Sequence, residues 1–168
     1  MPLAIAAVLS VALGAAPVHA ADLPRRRSGL WEITTSQPGA PAAVSGQLCI
    51  DEKTDDLAQQ LAQGAMSCSR QQVRPEGDGW VLDSVCRLGE STATTRARIS
   101  GRFDSAYQVD IDSSYEPPIM GMRGGKATVK ARWLGACRPG QRAGDMTLPG
   151  GVTINIFDAQ QRAAKPGP

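Results

Sequence analysis

The sequence predicts an α+β protein: a curved antiparallel sheet of six to seven strands, connected as a meander, with one helix packed on its concave face. Three observations carry that expectation. Apolar and polar residues alternate over a series of short segments, which is the period of half-buried strands. Those segments are separated by clusters of Gly, Pro, Asp and Ser, the residues that make tight turns. Only residues 51–63 carry helical spacing, through Leu57 and Leu61 at i,i+4 with Ala58 and Ala62 beside them. The chain has 168 residues, 42% hydrophobic and 20% charged, so it can bury a core and is not of disordered composition.

The elements follow in order. Residues 1–20 read as a signal peptide, with an apolar run over residues 3–13 and small residues before a cleavage point at Ala21. Residues 21–27 hold Arg25, Arg26 and Arg27 and read as a flexible, solvated basic N-terminus. In residues 29–35, Trp31, Ile33 and Thr35 alternate with Glu32 and Thr34, giving a first strand, and residues 44–50 give a second. Asp51 can cap the expected helix, with Glu52, Asp55 and Asp56 in its early turns, where the helix dipole favours acids, and Gly64 as its stop.

Residues 67–74 and 79–87 flank a Pro75-Glu76-Gly77-Asp78 turn and form a hairpin. Residues 92–103 and 107–116 form a longer one. Ala97, Ile99, Gly101 and Phe103 share a face, as do Tyr107, Val109, Ile111 and Tyr115, so paired positions must sum to an even number. A turn at Asp104-Ser105-Ala106 then sets Ile99 opposite Ile111 and Arg98 opposite Asp112. Residues 126–135 supply the last long strand, pointing Ala127, Val129, Ala131 and Trp133 inward, and residues 151–156 a short one. The domain spans residues 28–157, and residues 158–168 read as a tail.

The function classes narrow through charge and histidine. Lys and Arg number 18 against 16 Asp and Glu, a net charge of +2, which gives no global field for nucleic acid or anionic membrane. The one histidine, His19, falls in the signal peptide. A mature chain without histidine has no Ser-His-Asp or Cys-His centre and no imidazole metal site, which weighs against an enzyme. No metal or cofactor is expected.

Cys49, Cys68, Cys86 and Cys137 are an even set with no CxxC spacing, so they read as two structural disulfides in an oxidising compartment such as a bacterial periplasm. Three pairings are open. Cys49–Cys68 with Cys86–Cys137 is favoured, and Cys68–Cys86 across a hairpin is the alternative.

Two groups of residues are candidate sites. Asp110, Asp112 and Glu116 share one strand face, and paired carboxylates can act as the acid and base of a glycan hydrolase. Against that, Arg96, Arg98 and Arg102 alternate on the facing strand, the pattern of a solvated face with cross-strand ion pairs. Pro117, Pro118, Ile119, Met120 and Met122 form an apolar loop suited to a ligand or partner. Two thioethers without histidine make a poor copper(I) site, and such methionines more often fold back on the sheet edge.

The run Ser28-Gly29-Leu30-Trp31-Glu32 is distinctive in combination with Cys49 before an acidic stretch. Arg132-Trp133-Leu134-Gly135-Ala136-Cys137, Gly144-Asp145-Met146 and Pro149-Gly150-Gly151 complete the set. Together they resemble a family of small exported bacterial proteins known only as a domain of unknown function. The resemblance implies a disulfide-bonded, mostly antiparallel β protein and supplies no activity or catalytic residue. The function expected is a non-catalytic periplasmic module for a small apolar or amphipathic ligand or an envelope protein. The alternative is the carboxylate-based hydrolase.

Overall fold

The computed structural model describes residues 23–52, 55 and 66–164. The signal peptide and nearly all of the expected helix at 51–63 lie outside them. Within that segment, the Asp55 amide donates to the Asp51 carbonyl at 3.0 Å.

The described chain is predominantly β: nine antiparallel strands in one sheet, against an expected six to seven. They are β1 (Gly29–Ser36), β2 (Val44–Ile50), β3 (Met66–Glu76), β4 (Gly79–Leu88), β5 (Ser91–Arg102), β6 (Ala106–Ile119), β7 (Met122–Gly135), β8 (Asp145–Thr147) and β9 (Thr153–Asn155). Their spatial order is β3-β4-β5-β6-β7-β1-β2-β8-β9. The expected meander therefore holds from β3 to β7, after which β1 returns to pair with β7. No described helix is long and apolar enough to cross a membrane.

Alternation places the core on one face. Val73, Leu82, Ala97, Ile111 and Ala127 form one row across β3 to β7. Trp80, Ile99, Val109, Val129 and Thr35 form another. Trp31 is fully buried, and Ile99 and Val109 are 1% exposed. The rings of Trp31, Tyr107, Phe103 and Trp80 make a chain at centroid spacings of 5.5, 5.4 and 5.3 Å.

Several expectations are corrected. The β5–β6 hairpin has the expected even-sum parity but a different register: Arg102 pairs with Ala106, Ile99 with Val109, Arg98 with Asp110 and Arg96 with Asp112. Phe103, Asp104 and Ser105 make the turn, because the Phe103 ring is buried between Tyr107 and Trp80. Asp104 closes the turn from outside, accepting from Arg102 at 2.8 Å and Ser105 at 2.7 Å.

The disulfides are Cys49–Cys137 and Cys68–Cys86 rather than the favoured pairing. Cys68 and Cys86 sit opposite each other in the β3–β4 ladder. β2 and β3, consecutive in the chain, lie on opposite sides of the β4–β7 block, which keeps Cys49 away from Cys68. Cys49 instead meets Cys137, just beyond the end of β7, with Cα atoms 5.5 Å apart.

Residues 158–164, expected as tail, belong to a helix, α1 (Ile156–Ala164). Asn155 caps it, its Oδ1 accepting from the amides of Phe157 and Asp158, both at 3.1 Å. Asp158 in the first turn also receives Arg142 at 2.9 Å.

Candidate ligand site

β5 lies between β4 and β6, and on the inner face it carries Ala93, Thr95 and Ala97. Small residues on a middle strand between larger neighbours leave a hollow. Here it is a cavity of about 250 Å³ built from three cross-strand rows. Leu82, Ala97 and Ile111 form the first row, and Cys86, Ala93 and Tyr115 the third. Between them runs a row of hydroxyls, Ser84, Thr95 and Ser113, in which Thr95 and Ser113 bond to each other at 2.9 Å. Leu88 adds a further apolar side chain, and no charged residue among the described residues lines the cavity.

The carboxylates are on the opposite face. Asp110 accepts from Gln108 Nε2 and Thr128 Oγ1, both at 2.8 Å. Those hydrogen bonds, from Gln108 first, hold its carboxyl below the usual range against a small desolvation effect, with Lys130 and Arg98 adding to them. Asp112 pairs with Lys126 at 3.4 Å, and Glu116 is exposed. Asp83–Arg96 at 2.7 Å and Glu32–Arg132 at 3.0 Å continue the ladder of ion pairs. A larger hollow of about 550 Å³ lies by Glu32, Lys130 and Arg132, but it is a wider depression than the inner cavity. An ionised, hydrogen-bonded Asp110 is in the wrong state to donate a proton.

The apolar loop is the tip of the β6–β7 hairpin, where Ile119 pairs with Met122. Met120 is 93% exposed and Met122 55%, so these methionines project into solvent instead of folding back on the sheet edge. Pro117, Pro118, Ile119, Met120 and Met122 do not line the cavity, whose wall on β6 ends at Tyr115. No group of three or more His, Cys, Asp or Glu among the described residues is arranged to hold a metal ion.

The arginine triplet is the largest departure from expectation. Arg26 is 3% exposed and Asp55 4%. Arg26 Nε donates to Asp55 Oδ1 at 2.7 Å, its backbone amide donates to Asp55 Oδ2, and its Nη1 donates to the Tyr107 hydroxyl at 3.1 Å. Burial alone lowers the Arg26 pKa, but Tyr107 and Asp55 outweigh it and the net direction is upward. Burial pushes the Tyr107 phenol up, with Arg26 opposing. Arg27 lies over the Trp133 ring, 3.7 Å from its centroid, and its amide donates to the Phe103 carbonyl at 2.8 Å. Arg25 donates to the Glu52 carbonyl. These arginines tie the chain ahead of β1 to the core and are not a solvated tail.

Sequence reasoning missed two features. The hydroxyl row needs the β4–β5–β6 register, which only the assembled sheet supplies. The Arg26–Asp55 pair joins residues 29 positions apart with no periodic relationship, so no local pattern signals it.

The fold and site define a disulfide-stapled antiparallel β protein with a cavity on its inner face that no charged side chain among the described residues lines. The chain belongs to the family described as a protein of unknown function (DUF3617), whose profile matches residues 26–137, from the buried Arg26 to Cys137. No curated protein and no solved structure matches it.

Proposed function

We propose that this protein is an exported, non-catalytic periplasmic module that binds an apolar or amphipathic small molecule in the inner-face cavity. One observation carries the reading: the partly open, mostly apolar hollow lies on the face opposite the carboxylates. A hydrolase needs its carboxylates in the cleft that holds the substrate. A binding module needs a concave, mostly apolar site with a few polar groups, which is the composition of the three rows. The two disulfides suit an oxidising compartment.

The test is titration of the ¹⁵N-labelled protein with toluene, a neutral apolar molecule of a size the hollow can hold. Saturable shifts of the Ala97 and Ile111 amides are expected in the wild type, with loss in Ala93→Leu, which fills the hollow while circular dichroism stays unchanged. Equal shifts in both proteins would remove the cavity from the function.

A further inference from the structure

We propose that the cavity selects an uncharged amphiphile, a medium-chain alcohol or ester, whose polar group is received by the Ser84–Thr95–Ser113 row. The inference rests on the reading of the cavity as a ligand site and names the chemistry that site takes.

Three observations lead there. Ser84 is 9% exposed, yet no hydrogen bond ends on its hydroxyl among the described residues, although Thr95 and Ser113 beside it satisfy each other. A buried hydroxyl without a partner is costly, so its presence in a hollow points to a group that arrives with the ligand. The row lies between Leu82–Ala97–Ile111 on one side and Cys86–Ala93–Tyr115 on the other, rows that are apolar apart from the Tyr115 hydroxyl, so the ligand must be mainly apolar on either side of its polar group or end at it. Finally, no Lys, Arg, Asp or Glu among the described residues lines the cavity, because the charged residues of β4, β5 and β6 alternate onto the other face.

A carboxylate or ammonium group would enter without a counter-charge, which costs far more than a hydroxyl that can exchange one hydrogen bond for another. A volume of about 250 Å³ holds roughly eight atoms at about 30 Å³ each. Octyl compounds are therefore the matched probes.

The experiment is a titration of the ¹⁵N-labelled mature chain at neutral pH with 1-octanol and, separately, sodium octanoate. The expected result is that octanol shifts the amides of Ser84, Thr95 and Ser113 and binds at least about tenfold more tightly than octanoate. Ser84→Ala should weaken octanol about fivefold, the loss of one buried hydrogen bond, with Ser113→Ala as an independent second variant. Octanoate binding as tightly as octanol would overturn the selection for an uncharged group while leaving the cavity as a binding site. Octanol affinity unchanged in both serine variants would overturn the role of the hydroxyl row. Shifts of these amides by neither compound would overturn both this inference and the binding function beneath it.

Discussion

Arg26 and Asp55 form an ion pair with both side chains almost wholly excluded from solvent, at 2% and 1% exposure, and Nη2 lies 2.5 Å from Oδ1. The pair joins the segment ahead of β1 to the segment after β2, and through Tyr107 it reaches the aromatic chain of the core. Removing one partner leaves an uncompensated buried charge. Arg26→Met or Asp55→Leu alone is expected to destabilise by about 3–5 kcal/mol in urea unfolding, and the double variant to recover most of the loss. Single variants within about 0.5 kcal/mol of wild type would mean that the pair is solvated in solution.

Gly29 explains the Gly-Leu-Trp-Glu run. Its φ is +134°, and a Cβ there would lie 2.2 Å from the Gly135 carbonyl oxygen and 2.6 Å from Trp133 Nε1. A backbone atom cannot yield as a flexible side chain can. Gly29→Ala is expected to cost about 3 kcal/mol or more, combining the unfavourable φ with overpacking, as read from the urea midpoint.

The two disulfides should differ in worth. Cys49–Cys137 spans 88 residues and Cys68–Cys86 spans 18. In the chain-entropy picture these correspond to about 4.5 and about 3 kcal/mol, so replacing Cys49 and Cys137 by Ser should destabilise more than replacing Cys68 and Cys86. Peptide mapping of the oxidised protein checks the pairing directly, and a Cys49–Cys68 peptide would contradict it.

Tyr107 sets an alkaline limit. Its folded pKa is raised above the ordinary 10.0, by burial first, so the unfolded chain loses the phenol proton before the folded one does. The neutral phenol's contribution is whole below pH 10.0 and is lost as pH rises beyond it. Stability should therefore fall more steeply above that pH in the wild type than in Tyr107→Phe. Asp104 acts at the opposite end: hydrogen bonds from Arg102 and then Ser105 bring its pKa down from 3.8 to about 2. Its contribution is present above pH 3.8 and disappears as pH falls through about 2, and Arg102→Gln should move the carboxyl titration back up.

The exposed hairpin tip should be independent of the cavity. Replacing Met120 and Met122 with Ser is expected to change stability by less than about 0.5 kcal/mol and to leave octanol affinity unchanged. Weaker octanol binding in that variant would place the tip at the cavity entrance.

Local pattern made much of the sheet legible. β2 runs over residues 44–50 as expected, and the even-sum parity of β5 and β6 holds because side chains on a strand alternate with period 2. The register within that parity was not legible, since it depended on Phe103 leaving the strand to bury its ring beside Tyr107. α1 carried a readable cap in Asn155 with Asp158 three residues on, but the Pro- and Gly-rich chain before it masked the signal.

The sequence by itself determined the antiparallel character of the sheet, which residues of each long strand face inward, and the absence of a global field for charged partners. Those properties follow from short-range periodicity and composition. The tertiary structure decided that β1 returns to β7, that Cys49 meets Cys137, that Arg26 is buried against Asp55, and that Ser84, Thr95 and Ser113 fall into one row. Each of these joins positions distant in the chain, and such contacts follow from how the whole sheet buries its apolar face, which no local window of residues specifies.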